Sequence, residues 1–384
     1  MSDAEFVIGR GSIGALIDVL KRRGFTVMGP RVESQAIVYG ELDSDADLPA
    51  GWTDEQDGGT YRVSRRGDDA LFAHNAGPNS WKSLLFPPTV RVWKGRRNGN
   101  GGLEVDEPEQ PPQYAFIGVR SCDLHAIAIQ DRIFIGDRYV DHDYEARRRD
   151  AFIVAVNCGK AGGTCFCVSM GTGPKADSGF DLSLTELYED GEHRFLVDVA
   201  SERGASVLEE LQHRPADEAD ARAAQAVVDQ TAASMGRTLD TNDIKGLLYG
   251  NLEHPRWDEV SQRCLTCGNC TLVCPTCFCS TVEDVTDLTG TETERTRRWD
   301  SCFSLDHSYI HGGSVRDSGR ARYRQWMTHK LASWIDQFGS SGCVGCGRCI
   351  TWCPVAIDIT EEAAAIRATD LRDLAARGGA GADD

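Results

Sequence analysis

Ile13, Leu16, Ile17 and Leu20 repeat at i, i+3, i+4 and i+7, the spacing that gives a helix a single apolar face. Ser12 stands where an N-cap would stand and Gly24 lies just past the end, so the helix is predicted to begin at Ser12. The period then changes. Residues 25–28, 36–39 and 60–63 read as short strands, and 95–113, rich in Gly, Pro and Asn, reads as a loop. Residues 114–119 and 151–156 are apolar runs with a helical pattern from about 123 to 133 between them, the order of a parallel β-α-β unit. Residues 182–187 and 193–199 flank Glu189-Asp190-Gly191-Glu192 as a hairpin, and 202–212 and 219–235 read as helices. From about Asn251 strand patterning stops and cysteines crowd in; 378–384 reads as a frayed tail. The expected fold is α+β, with an N-terminal α/β-type domain over 1–245 and a mainly helical domain over 246–384.

The 384 residues suffice for two or three domains without disulfides or metal to reach a stable size. No apolar stretch approaches the roughly 18 residues a membrane helix needs, so no membrane partner is expected. The acidic start, Met-Ser-Asp-Ala-Glu, has no basic-then-apolar layout of a secretion signal, so a cytoplasmic location is expected. Forty-one basic residues against 59 acidic ones leave a net charge of −18, which argues against nucleic-acid binding. Fifteen cysteines change the picture most. Thiols stay reduced in the cytosol, and an odd number cannot all pair within one chain, so metal is the better explanation.

The first run is Cys264-x2-Cys267-x2-Cys270-x3-Cys274-Pro275, and the second is Cys343-x2-Cys346-x2-Cys349-x3-Cys353-Pro354. Both have the spacing of bacterial two-cluster ferredoxins, in which the fourth cysteine of each run serves the other cluster. That assigns Cys264, Cys267, Cys270 and Cys353 to one [4Fe-4S] cluster, and Cys343, Cys346, Cys349 and Cys274 to a second. The 246–384 domain is thus ferredoxin-like, with a long insertion over 275–342. Zinc held by C-x2-C pairs is the bland alternative, but it has no use for three evenly spaced thiols and a cross-over ligand. The insertion carries Cys277, Cys279 and Cys302 together with Arg316, Arg320, Arg322, Arg324 and Lys330, a basic island in an acidic chain. It is either a positive field that raises a cluster potential or docks an acidic partner, or simply a solvated helix face.

Of the remaining cysteines, Cys122 and Cys158 each follow a predicted parallel strand, so their thiols can converge at neighbouring strand ends. Cys165 and Cys167 follow in a glycine-bearing loop. These four form a candidate third four-thiolate site; the alternative is a set of buried structural thiols, and because Thr-Cys-Phe-Cys recurs at 276–279, spacing leaves open which members complete that site and whether a fourth exists with Cys302. If the chain is extended at Cys165-Phe-Cys167, the two thiols point opposite ways. Asp123 and His125 beside Cys122 are either unusual ligands or a helix N-terminal carboxylate and a packed histidine. Gly9-Arg-Gly-Ser-Ile-Gly14 fits G-x-G-x-x-G, but its leading strand is short and nothing else signals a nicotinamide or flavin pocket. No catalytic residue set is evident.

Five stretches carry a family resemblance: Gly118-Val-Arg-Ser-Cys-Asp-Leu-His-Ala126, Cys165-Phe-Cys-Val-Ser-Met-Gly-Thr-Gly-Pro174, Cys264 through Cys279, Arg298-Trp-Asp-Ser-Cys302, and Cys343 through Pro354. With Asn79-Ser-Trp-Lys-Ser-Leu-Leu-Phe-Pro-Pro88 they are spread over residues 79–354, most of the chain's length. The chain resembles the iron–sulfur beta subunit of cytosolic NAD(P)-linked nickel–iron hydrogenases, the sulfhydrogenases, although Ser121 stands where that family usually carries proline. It is also similar to the A subunit of anaerobic sulfite reductase. The resemblance implies a non-catalytic redox subunit of an oxidoreductase complex. Such a subunit would relay electrons between the hydrogenase large and small subunits and an FAD/NAD(P)-binding subunit.

Overall fold

A computed structural model of the chain describes residues 5–372 apart from 76, 107–109, 137 and 190; the tail expected over 378–384 lies outside the described residues. Strands β1 (Glu5–Gly9), β2 (Thr26–Glu33), β3 (Ala36–Glu41), β4 (Trp52–Asp57), β5 (Thr60–Arg65), β6 (Thr89–Arg97) and β7 (Leu103–Val105) come first. They are followed by β8 (Tyr114–Val119), β9 (Phe152–Val156), β10 (Leu182–Glu189), β11 (Glu192–Val199), β12 (His213–Pro215), β13 (Ser280–Thr286) and β14 (Glu292–Trp299). Eight of them build one sheet in the order β12-β1-β11-β10-β9-β8-β2-β3. Its centre is parallel, through β2·β8, β8·β9 and β9·β10, and its flanks are antiparallel.

The helix Ser12–Arg22 lays Ile13, Leu16, Ile17 and Leu20, all fully buried, against this sheet. Each contributes roughly 2 kcal/mol of apolar burial, so the face predicted by the spacing is the one that docks. The helix Ser121–Phe134 crosses from β8 to β9, every residue of which is buried, and so completes the expected β-α-β unit. The G-x-G-x-x-G stretch is built differently from a dinucleotide site. β1 lies between two antiparallel neighbours, and a Cβ on Gly14 would meet the Asp45 carboxylate, which already pairs with Arg10 at 2.7 Å beside the helix start.

Two stretches differ from the sequence-based expectation. The supposed loop over 95–113 contains the end of β6 and all of β7, and strands do not vanish after Asn251: β13 and β14 form a hairpin. These strands join a second sheet, β13-β14-β6-β7, so the 275–342 insertion pairs with a strand from the first third of the chain. The reason they were illegible is physical. Thr-Glu-Arg-rich strands such as Glu292–Trp299 have no buried face, and without one the period-two apolar signal is absent. The helix expected over 202–212 is also shorter, Glu202–Leu208, and gives way to the edge strand β12.

A separate core gathers Leu239, Leu247, Trp257, Phe303, Tyr323, Trp326, Met327, Ile350 and Ile366, with the cysteines of both runs packed against it. Phe166, from the middle of Cys165-Phe-Cys167, is fully buried in this same core. One aromatic ring of the first half of the chain is therefore keyed into the core of the cysteine-rich half. Among the described residues no helix is long and apolar enough to cross a membrane.

Candidate metal centres

Each cysteine run places its first three thiols on a tight turn that leads into a one-turn helix, Asn269–Leu272 in the first run and Arg348–Thr351 in the second. Left-handed glycines make the turns: Gly268 with φ +74° and Gly347 with φ +75° open those helices. The chain brings Cys264, Cys267 and Cys270 around a mainly apolar cavity that Cys353, from the other run, also lines. Cys349 forms part of its far wall, with Phe303, Tyr323 and Trp326. Cys343, Cys346 and Cys349 feel the field of Cys274 from the first run, so the fourth cysteines are exchanged in space. Backbone amides already point at sulfur: Thr266 N–H donates to Cys264 Sγ at 3.4 Å, Gly345 to Cys343 at 3.5 Å, and Ile357 to Cys353 at 3.3 Å. Donors aimed at thiolate sulfur suit an iron–sulfur cluster, whose potential depends on such bonds.

Among the described residues, no three Cys, His, Asp or Glu side chains close to the spacing of a single metal ion. A tetrahedral zinc, with Zn–S bonds of about 2.3 Å, would draw its thiolates to within about 4 Å of one another. Among the described residues no trio of thiols is grouped in that way. Burial pushes the bare thiols of Cys264, Cys270, Cys346 and Cys349 up, and that of Cys343 to about 12. Binding iron therefore displaces protons from sulfur, and the charge of iron offsets the cost of burying thiolates.

Cys274 is the exception. A hydrogen bond from Cys277 first, and then the charges and donors of Lys330, Thr276 and Lys82, hold its thiol well below the ordinary value. Lys330 Nζ lies 3.1 Å from Cys274 Sγ and 3.0 Å from Thr276 Oγ1, and the lysine is only 5% exposed. Burial works against its charge, but the surrounding thiolates outweigh burial and raise it above lysine's usual range. Lys82, 4% exposed, donates to the carbonyls of Leu272 and Cys277 and lies 3.9 Å over the Trp299 ring. Nothing in the local pattern singled out Lys82; its family-like setting, Asn79 to Pro88, was the one available signal. The basic island is thus divided. Lys330 is buried at a thiolate, whereas Arg320 and Arg324 lie on the surface and pair with Glu253 at 2.8 Å.

The remaining four candidate thiols also come together. Cys122 opens the helix after β8 and Cys158 follows β9, adjacent parallel strands whose C-terminal ends meet, the place where open α/β sheets build their sites. Cys167 lies in the field of Cys158, Cys165 and Cys346, and Cys122 in that of Cys346 and Cys167. The C-x-C segment is not extended. A turn closed by Cys165 N–H to Gly162 O at 3.0 Å, then a helical turn from Cys167, swings both thiols to one side.

This segment is stitched to the second run. Phe166 N–H donates to Gly345 O at 2.9 Å, Thr172 Oγ1 to Val344 O at 2.7 Å, and the hydroxyls of Thr164 and Thr351 meet at 2.7 Å. Gly345, at φ +64°, lies so close that a Cβ there would come within 2.7 Å of the Cys167 backbone. Asp123 is engaged elsewhere, receiving Arg348 through both oxygens at 2.9 and 3.2 Å, with both side chains 1% exposed. That ion pair stands between the second run and the Cys122 group. Burial pulls His125, one turn along the helix from Cys122, below its usual value.

Residues 263–357 match the 4Fe-4S dicluster domain family. The chain is 35% identical over 280 residues to the sulfhydrogenase 2 subunit beta of Pyrococcus furiosus, an alignment covering 72% of this chain and 79% of that relative. No solved structure matches significantly. Its doubled cysteine runs, exchanged fourth thiols and extended similarity together mean that the chain belongs to the family of sulfhydrogenase beta subunits, iron–sulfur proteins of hydrogenases.

Proposed function

We propose that this chain is the electron-relay subunit of a multi-subunit hydrogenase, with a hydrogenase module of large and small subunits on one side and a flavin- and NAD(P)-binding subunit on the other. The ligand sets are Cys264, Cys267, Cys270 and Cys353; Cys343, Cys346, Cys349 and Cys274; and Cys122, Cys158, Cys165 and Cys167. A [4Fe-4S] cluster supplies one-electron redox chemistry whose potential is tuned by burial and by hydrogen bonds to sulfur.

One observation carries this reading: the three thiol groups are contiguous. Cys349 feels the field of Cys270 across the first two groups, and Cys122, Cys165 and Cys167 feel that of Cys346 across the second and third. Apart from Cys267, the thiols of these groups are buried or half-buried. At one end Cys267 is the single exposed cysteine, with the exposed apolar side chains of Leu265 and Leu272 beside it, a natural face for a partner. Similarity to a named sulfhydrogenase subunit favours this assembly over a sulfite-reducing one.

The test is iron and sulfide content of the anaerobically purified chain, with reduced-state EPR. About twelve irons are expected, four for each cubane, and about eight would remove the third site. Cys165→Ser is expected to cost about four irons while sparing the ferredoxin-like pair. Unchanged iron in that variant takes Cys165 out of the ligand set.

Lys330 allows a separate prediction. A buried ammonium beside Cys274 favours the more negative, reduced form of the cluster that Cys274 serves. Lys330→Met is expected to lower that cluster's midpoint potential in an EPR-monitored titration and to leave the others in place. A potential that stays where it was would mean that the lysine charge does not act on the cluster.

A further inference from the structure

Three cysteines of the insertion have no part in the ligand sets above, and two of them are built into a constellation of their own. Cys279 immediately precedes β13 and accepts, through its carbonyl, the amide of Asp300 at 2.9 Å, just past the end of β14. The chain then turns, with Ser304 N–H to Ser301 O at 2.9 Å, and brings Cys302 back so that its thiol hydrogen-bonds that of Cys279. His307 comes from the following helical turn. Its ring hydrogen-bonds the Cys279 sulfur, and its Nδ1 lies 2.8 Å from Asp300 Oδ2. Asp300 is itself fixed by the Ser301 amide at 2.7 Å and by the Ser304 hydroxyl. Thiol, imidazole and carboxylate in this order are a nucleophile, its base and the group that orients the base. A second thiol in contact supplies what a lone nucleophile lacks, a resolving group. Both cysteines are partly exposed.

We propose that Cys279 and Cys302 form a redox-active dithiol that exchanges with low-molecular-weight disulfides. Cys279 is the attacking thiolate, Cys302 the resolving thiol, and His307, held by Asp300, the proton carrier. In the first step Cys279 Sγ attacks one sulfur of the disulfide, its S–S bond breaks, and the departing thiolate takes the proton held on His307. In the second step Cys302 gives its proton to His307 and attacks Cys279 Sγ. The mixed disulfide breaks and the second small thiolate leaves with that proton. One disulfide is reduced to two thiols and the protein dithiol is oxidised to one disulfide, so two electrons and two protons balance. Hydrogen bonds from Cys302 and His307 overcome burial to bring the Cys279 thiol down to about 4, and the same contact raises His307 to about 9, the ion pair such an attack starts from.

The experiment uses the full chain, anaerobically purified with its clusters, and glutathione disulfide as the probe. After incubation the free thiols are alkylated, and linked peptides, released glutathione and iron are measured. A Cys279–Cys302 linked peptide is expected, with two glutathiones released per chain and iron unchanged. Cys302→Ser is expected to stall as a glutathione adduct on Cys279, and Cys279→Ser to give neither adduct nor link. His307→Gln is expected to slow the first attack by roughly tenfold or more. An adduct that forms first on Cys302, or no reaction at either thiol with iron retained, overturns the proposal. So does iron or zinc lost specifically from Cys279→Ser, which would make the pair a metal site. The thiol readouts do not depend on the three proposed clusters, and iron lost with Cys279→Ser would be iron beyond the roughly twelve expected for them.

Discussion

Cys274→Ser is expected to strip iron from the cluster of the distant C-terminal run, not from the one held by its own neighbours. Cys274 stands four residues beyond Cys270, yet Cys343, Cys346 and Cys349 feel its field, and its sulfur receives Lys330 at 3.1 Å. Iron should fall from about twelve to about eight per chain, four being one cubane. Cys343, Cys346 and Cys349 should become open to alkylation while Cys264, Cys267 and Cys270 stay protected. The variant is also expected to be less stable, because the buried Lys330 ammonium loses the thiolate it faces. Cys353→Ser should give the mirror image, freeing Cys264, Cys267 and Cys270. If Cys274→Ser instead exposes the thiols of its own run, the cross-over is wrong.

Arg348→Met should have the second large effect. Its guanidinium and the Asp123 carboxylate are each 1% exposed and doubly hydrogen-bonded, and Arg348 Nε donates to Gly77 O at 3.3 Å. Removing one member of a buried pair leaves the other's charge uncompensated, at a cost of about 3–5 kcal/mol. The second run is pinned to the helix bearing Cys122 through this pair, so the variant should melt earlier under anaerobic conditions and shed iron from the Cys122 group first. Arg348→Met with Asp123→Leu should recover much of the loss, because no unpaired charge remains. A single variant as stable as the parent chain would mean that the pair bears no weight.

Legibility varied along the chain for identifiable reasons. The face of the Ser12–Arg22 helix and the parallel pairing of β8 with β9 were readable because burial on one side or on both writes a period into the residues. The β13–β14 hairpin has intermediate or exposed positions throughout and left no such trace. The ferredoxin-like thiols were readable because a cubane demands several ligands from one short turn, and that demand fixes their spacing. The convergence of Cys122, Cys158, Cys165 and Cys167 was only inferable, since strand ends and a loop approach one another by sheet order. The roles of Lys82, Arg348 and Asp300 were not legible at all. A lysine or arginine in a string of residues is by default a solvated charge, and only packing shows which one is buried at a thiolate or a carboxylate.

Local spacing by itself therefore marked out the two cysteine runs as candidate ligands, because thiols within one turn of chain need no help from the rest of the fold to meet. Tertiary structure decided what surrounds them: the pressing of Gly345 against Cys167, the lysines beside sulfur, and the pairing of Cys279 with Cys302 and His307. Those contacts join residues far apart in sequence, and desolvation and charge act through space, without regard to order along the chain.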